Sequence, residues 1–171
     1  KVRVRGGERG VVAELLGGQV GQAIPAYVTV WDDVSPALAE QFSAFKLHLP
    51  PVASERRIDD LIERVRRARS VIGRERELMI DLWMKWNLPD TLAAIPSLVE
   101  FDLRWIEEPL PVNDLAGYAR LAKESAIPIA GGEHEFTADG FRPWIDGRLH
   151  HVLQPDVCWW GGVTEVGKNY Q

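Results

Sequence analysis

The sequence predicts an α/β fold, a partial (β/α)8 barrel of about six βα units, on three observations. Short apolar runs alternate with segments of helical periodicity along the 171 residues. Most of these runs are apolar on both faces, as is typical of parallel strands that are covered on both sides. Acidic residues recur near the ends of successive runs, and their spacing is that of one βα unit. A complete barrel takes about 250 residues, so this chain would supply only part of one.

Six segments have the composition of strands. Each is short, rich in aliphatic and aromatic residues and bounded by turn-forming residues. The predicted strands are residues 23–30, 44–49, 78–83, 103–109, 127–133 and 151–157.

Helical periodicity separates these strands. It is clearest at 54–73, where Ser54 is a candidate N-cap and Gly73 follows the last turn. A second helix begins after Asn113 or Asp114, and a shorter one ends at Gly147. The segment 88–101 also has a helical pattern, but Pro96 within it should break or kink the helix.

An open doubly wound sheet is the alternative fold. That fold normally carries a glycine-rich phosphate loop after its first strand. Here the first strand is followed by WDDVSP, and Gly131-Gly132 is too short to form such a loop. We therefore prefer the barrel.

The composition limits the class of protein. The net charge of −5 and the pI of about 5.4 argue against nucleic acid or an anionic membrane as the main partner. No apolar stretch approaches the ~20 residues of a membrane helix, and the basic N-terminus lacks the apolar core of a signal peptide. The single cysteine, Cys158, fits a reducing cytoplasm.

Three acids form the main candidate site. Asp81, Glu107 and Glu133 are separated by 26 residues each, and Asp156 follows 23 residues later. In a barrel the strand ends meet at one rim, where carboxylates would repel one another unless a cation lay among them. Hard oxygen ligands suit Mg²⁺. For any one acid alone, capping of a helix or pairing with an arginine is the simpler explanation.

Lys46 and His48 lie one strand before the first acid. Alternation along a strand places both on the same side, so they are candidate acid–base groups at the same rim. A nearby cation would favour the neutral form of His48, which accepts a proton. The alternative is that Lys46 extends its charged end to water at the sheet edge.

The remaining histidines and the cysteine give weaker signals. His134, next to Glu133, could bind a substrate oxygen or equally hold a neighbouring carboxylate. His150 and His151 precede the sixth strand and are interpreted as surface residues at the opposite rim. Cys158 is interpreted as a packing residue, because no general base is evident beside it.

The stretch RWIEEPLP places two acids side by side. Alternation sends Glu107 and Glu108 to opposite sides of the strand end, and the 26-residue spacing selects Glu107 as the metal ligand. Glu108 would lie outside the ligand set and pair with a basic residue, such as the lysine of the second strand.

Taken in this order, FKLHLP, MIDLW, RWIEEPLP, GGEHEFT and LQPDVCWWGGVTE resemble the enolase superfamily. They are most similar to the mandelate racemase-like acid-sugar dehydratases, and among these to L-rhamnonate dehydratase-like proteins. The resemblance runs from Ala23 to Glu165. It divides the chain into a lead-in segment, 1–22, which contains ELLGG, and a partial barrel domain, 23–171.

The resemblance implies roles for individual residues. Asp81, Glu107 and Glu133 match the three Mg²⁺ ligands. The family's Lys-x-Lys pair is here Lys46-Leu47-His48, so the usual lysine base is replaced by histidine. Asp156 matches an aspartate that orients a catalytic histidine of the seventh strand.

The implied activity is a lyase reaction on a small sugar acid. Removal of the proton α to a carboxylate is followed by loss of water, which gives a 2-keto-3-deoxy sugar acid. The seventh and eighth strands and a capping domain have no counterpart in these residues, so we expect this chain alone to be weakly active or inactive. A racemase or epimerase, or a non-catalytic remnant, remains open. Two open barrel edges invite pairing with another chain, so we expect a homo-oligomer.

Overall fold

A computed structural model describes residues 2–3, 9–10, 25–49 and 58–169 of the chain. Two short strands, β1 (Val2–Arg3) and β2 (Arg9–Gly10), pair antiparallel. Ser54 and the ELLGG segment lie outside the described residues, and so does the predicted boundary at residue 22.

The main element is a six-stranded parallel sheet. Its strands pair in chain order, each with the next. Consecutive parallel strands without a reversal of order are the arrangement of a barrel, whereas a doubly wound sheet reverses its order. The predicted fold class is therefore confirmed. The strands are β3 (Val28–Val30), β4 (Ala44–His48), β5 (Glu77–Asp81), β6 (Ile106–Glu107), β7 (Ile129–Gly131) and β8 (Val152–Leu153).

Helices connect the strands and begin at residues suited to capping. Side chains of Ser35, Asn87, Asp114 and Thr137 accept hydrogen bonds from backbone N–H groups of the following turns. The helices are α1 (Pro36–Ala39), α2 (Ile58–Ile72), α3 (Leu88–Leu98), α4 (Leu115–Glu124), α5 (Ala138–Asp146) and α6 (Val163–Asn169).

The helix that contains Pro96 continues without a break. α3 runs through Pro96 to Leu98, and a 3₁₀ turn, Val99–Phe101, extends it. The expected break is wrong because Pro96 is on the exposed side of the helix, where water can satisfy the carbonyl that its missing N–H leaves unpaired.

Alternation along the strands divides the interior into two layers. Residues 45, 47, 78, 80, 106 and 129 face the helices and belong to the larger core cluster. Residues 44, 79, 105 and 130 form a separate cluster on the other face, which is the inside of the barrel. The polar residues at the strand ends continue these two rows, so their position in the alternation decides which layer they meet.

Arg64 of α2 ties the helix layer to the rim. It is buried, and its guanidinium donates to the backbone carbonyls of His48 and Trp31, both at 2.8 Å. These bonds fix the end of β4 relative to the loop after β3. Among the described helices, none is long and apolar enough to cross a membrane.

Candidate active site at the carboxyl ends of the strands

Lys46 lies at the centre of a buried ionic cluster inside the barrel rim. Its Nζ is 2.7 Å from Glu107 Oε1 and 3.1 Å from Asp81 Oδ2, and all three residues are buried. Burial alone would lower the pKa of Lys46, but the carboxylates of Glu107 and Asp81 outweigh it and raise that pKa. Lys46 therefore stays charged and does not extend to water.

His48 joins the cluster through Asp81. Its Nδ1 lies 2.9 Å from Asp81 Oδ2, while Asp81 Oδ1 accepts from the backbone N–H of Trp83. Because an ionised carboxylate only accepts, Nδ1 carries the hydrogen and Nε2 is the basic nitrogen of the neutral ring. The ring of Trp31 packs on His48 with 4.0 Å between centroids, which limits the orientations that the imidazole can take.

Both carboxylate oxygens of Glu107 accept hydrogen bonds. Oε1 accepts from Lys46, and Oε2 accepts from Trp105 Nε1 at 3.2 Å and Gln154 Nε2 at 2.9 Å. Burial and the negative charge of Asp81 raise the pKa of Glu107, although Lys46 opposes them. Two carboxylates, those of Glu107 and Asp81, share one ammonium here, and a further cation would offset the remaining negative charge.

Gln154 was not singled out from the sequence. It follows β8 in the stretch LQPD, two residues beyond Val152, which packs against the barrel-side cluster. The alternation that groups residues 105 and 107 also groups residues 152 and 154. This alternation of side chains was the sequence signal that could have identified Gln154.

An open cleft of about 560 Å³ borders this cluster. Lys46, His48, Asp81 and Glu133 all contribute to its wall. The remaining lining residues are Thr29, Trp31 and Trp83. Two predicted acid–base groups, Lys46 and His48, and two predicted metal ligands, Asp81 and Glu133, thus share one cavity.

Glu133 and His134 lie in a turn after β7 and approach Glu108. His134 Nδ1 is 2.9 Å from Glu108 Oε1 and 3.9 Å from Glu133 Oε1. Among the described residues, the set whose ligand atoms all lie within 4.8 Å of one another is Glu108, Glu133 and His134. The three predicted ligands, Asp81, Glu107 and Glu133, do not form such a set in the part of the chain that the structure describes.

Glu108 faces the helix layer, on the opposite side from Glu107. The expectation that it pairs with the lysine of the second strand is wrong, since that lysine is directed to the barrel side and Glu108 meets His134. Burial raises the pKa of Glu108 to about 7, against the opposing effect of His134. This carboxylate is therefore buried but only partly compensated.

Asp156 is not among the residues that line the cleft. Its Oδ1 accepts from the backbone N–H of Cys158 at 2.7 Å, and so it caps the turn that follows β8. Cys158 is exposed. The role of Asp156 in orienting a catalytic histidine therefore stays a prediction.

His150 is not a surface residue, contrary to the expectation from sequence. Its ring stacks on Trp144 with 4.5 Å between centroids and meets the edge of Tyr118 at 4.9 Å. Both ring nitrogens are buried without a hydrogen-bond partner among the described residues. Burial, helped by His151, lowers the pKa of His150 to about 4, so this imidazole is neutral at neutral pH.

The donors at the rim fit a divalent cation. Asp81 and Glu107 are register partners on neighbouring strands, and Asp81 and Glu133 line the same cleft. Carboxylate oxygens keep acceptor capacity beyond one hydrogen bond, and such hard ligands are those that Mg²⁺ prefers.

The chain resembles known proteins over most of its length. Residues 31–170 match the family described as enolase C-terminal domain-like. The chain is 34% identical, over 160 residues, to an L-rhamnonate dehydratase of Saccharopolyspora erythraea, an alignment that covers 92% of this chain and 41% of that protein.

Solved structures share the fold. The 3,6-anhydro-D-galactonate cycloisomerase of Zobellia galactanivorans superposes with a TM-score of 0.80 and 32% identity, over 92% of this chain and 45% of that one. A racemase of Streptomyces coelicolor A3(2) with bound magnesium superposes with a TM-score of 0.75 and 32% identity, over 85% and 45%. The chain spans less than half the length of each of these relatives.

Proposed function

Because this chain belongs to the enolase C-terminal domain-like family, we propose that its cleft serves a Mg²⁺-dependent dehydratase that acts on small sugar acids. The observation that carries the proposal is the buried cluster of Lys46, His48, Asp81 and Glu107 beside the cleft. A similar dehydratase, of which this chain covers less than half, supports the choice of reaction.

Asp81, Glu107 and Glu133 would hold the metal. When bound, Mg²⁺ would supply a Lewis acid that offsets the negative charge gained when the proton next to the substrate carboxylate is removed. The ammonium of Lys46, already fixed by two carboxylates, would add a second positive charge without having to reorganise.

His48 would accept the proton at Nε2. Its Nδ1–H is held by Asp81 and its ring is packed by Trp31, so Nε2 keeps one direction. The electron pair left on the α-carbon forms a double bond to the next carbon as the C–O bond to the hydroxyl there breaks. That hydroxyl takes back the proton that His48 Nε2 removed and leaves as water, and the resulting enol rearranges to a 2-keto-3-deoxy acid.

The direct test is a screen of the purified chain against a panel of sugar acids with Mg²⁺. Formation of a 2-keto-3-deoxy acid would be followed with a carbonyl reagent. Turnover that disappears in His48→Asn and Glu107→Gln, and persists in the exposed-residue control Lys123→Met, would support the proposal. Turnover that is equal in all three variants would overturn it.

Metal binding is tested separately by calorimetric titration with Mg²⁺. Wild type is compared with Glu133→Gln, which keeps the shape of the side chain and removes its charge. We expect a clear loss of affinity in the variant. Equal affinity would remove Glu133 from the ligand set.

A racemase or epimerase is the second candidate, since a racemase with bound magnesium shares the fold at 32% identity. Such a reaction needs the same proton abstraction but returns a proton to the α-carbon. Incorporation of solvent deuterium at the α-carbon without loss of water would favour this candidate over the dehydratase.

A further inference from the structure

We propose that Glu108 is a positioning residue that holds His134 in the Nδ1–H tautomer, so that Nε2 of His134 is the nitrogen offered to the substrate. This inference rests on the proposed function, because the substrate meant here is the sugar acid of that proposal. The arrangement of Glu108 and His134 itself can be measured without any turnover.

The contact between the two side chains determines the tautomer. His134 Nδ1 lies 2.9 Å from Oε1 and 2.8 Å from Oε2 of Glu108. An ionised carboxylate has no hydrogen to donate, so the imidazole nitrogen that faces it must carry one. In a neutral ring, the other nitrogen, Nε2, is then left with its lone pair.

The burial of the pair is uneven. The side chain of Glu108 is 4% exposed, whereas that of His134 is 24% exposed. The carboxylate is hidden in the helix layer and the imidazole extends from it toward solvent. His134 is not one of the residues that line the cleft, but its Nδ1 lies 3.9 Å from Oε1 of Glu133, which does line it.

The backbone around Glu108 is arranged to place this carboxylate. Glu108 has a φ of +41°, a left-handed conformation that costs free energy for a residue with a side chain. Its N–H donates to Ala130 O at 3.0 Å and its carbonyl accepts from Met84 N at 2.6 Å. These bonds from two neighbouring segments hold the strained residue in place.

Gly131 supplies the space that the side chain of Glu108 needs. A Cβ at residue 131 would lie 3.2 Å from Glu108 Cγ and 2.7 Å from Cε1 of His150. A side chain at residue 131 would crowd the side chain of Glu108. This crowding is independent of the His134 contact and leads to the same conclusion, that the position of Glu108 is closely determined.

The pair repeats an arrangement already present on the barrel side. His48 also presents Nδ1 to a carboxylate, that of Asp81, at 2.9 Å. A dehydration needs a base for the α-proton and acceptors that hold the hydroxyl groups of the substrate. His48 Nε2 would take the proton, and His134 Nε2, which keeps its lone pair, would accept a hydrogen bond from a substrate hydroxyl.

The experiment records the ring nitrogens of His134 by NMR with ¹⁵N-labelled histidine at pH 8, and His134→Asn identifies the signals. In wild type we expect the Nδ1–H tautomer. Glu108→Gln should keep it, since the amide oxygen still accepts, whereas Glu108→Ala should shift the ring toward the Nε2–H form. A circular dichroism spectrum and thermal melt confirm that each variant is folded.

Two results would overturn the proposal. One is an Nε2–H tautomer in wild type, which decides the matter even if Glu108→Ala does not fold. The other is a folded Glu108→Ala variant with an unchanged tautomer. If the chain shows turnover, Glu108→Ala should lower kcat at least tenfold. Glu108→Gln should keep a higher kcat than Glu108→Ala. A tautomer that behaves as expected without turnover contradicts the proposed function alone.

Discussion

Two groups of side chains lie in different layers of the molecule, one inside the barrel rim and one among the helices. The inner cluster, Lys46, His48, Asp81 and Glu107, faces the barrel, and its members are joined by two ion pairs and one hydrogen bond of 2.7–3.1 Å. The outer aromatic layer, Tyr118, Trp144 and His150, faces the helices. There His150 has no hydrogen-bond partner among the described residues and is neutral.

The difference shows that burial alone does not mark a reactive site. In the inner cluster, burial is combined with partners of opposite charge, which keep Lys46 charged, and the cluster borders a cleft. In the outer aromatic layer, burial is combined with aromatic rings, which favour the neutral form of each group. Burial likewise raises the pKa of Tyr118, whose hydroxyl donates to Leu110 O at 2.7 Å. Only the first environment can respond to a charged ligand.

The largest expected effect comes from removing the ammonium of the inner cluster. Lys46→Met leaves Asp81 and Glu107 facing each other without compensation, and breaking a buried pair in this way costs about 3–5 kcal/mol of unfolding free energy. Urea unfolding without metal measures the loss. Saturating Mg²⁺ should restore part of it, because a cation that binds only the folded state stabilises it.

Lys123→Met is the matched control, since Lys123 is exposed and its replacement should change stability by less than about 0.5 kcal/mol. If both variants lose the same free energy, the inner cluster carries no special electrostatic strain. The comparison between the two layers would then fail.

The next largest effect is on Mg²⁺ binding, and it distinguishes Glu107 from Glu108, which lie on opposite sides of the strand end. Glu107→Gln should weaken Mg²⁺ binding by roughly a hundredfold or more, which is about 2.7 kcal/mol, because a charged ligand is lost. Glu108→Gln should change it only modestly, because Glu108 faces the helix layer. Calorimetric titration of both variants checks this, and the opposite ranking would move the metal to Glu108, Glu133 and His134.

The alternating layers could be predicted from the sequence because strand geometry is local. Apolar runs set the six strands, and the period of two placed Lys46 with His48 and Glu107 opposite Glu108. The 26-residue spacing selected three acids at strand ends for the same reason. Their roles as ligands remain predictions.

What could not be predicted depends on distant side chains. The partner of Lys46 is Glu107 because β4 and β6 both flank β5, and the sequence does not show which acid fills that gap. His150 is buried only because Trp144 and Tyr118 of two different helices close over it. Pro96 is tolerated because its side of α3 is exposed, which is a property of packing.

The smallest effect tests the outer aromatic layer through its pH dependence. The pKa of His150 is near 4 in the folded chain and about 6.5 when unfolded. Below pH 6.5 the unfolded state therefore binds a proton that the folded state excludes. This contribution to stability is complete above pH 6.5 and is lost as the pH falls toward 4, by about 2 kcal/mol between pH 7.5 and pH 5.

His150→Phe should remove that loss, since phenylalanine keeps the stacking on Trp144 and has no group that titrates. Any misfit of the larger ring lowers stability equally at every pH, so the measured quantity is the difference between variant and wild type at pH 7.5 and at pH 5. Glu108 titrates in the same range with the opposite sign, but it is present in both proteins and cancels. His151, which also acts on the pKa of His150, is present in both proteins and cancels likewise. A constant difference across this range would mean that the pKa of His150 is not lowered in the folded chain, and the contrast between the two layers would then fail.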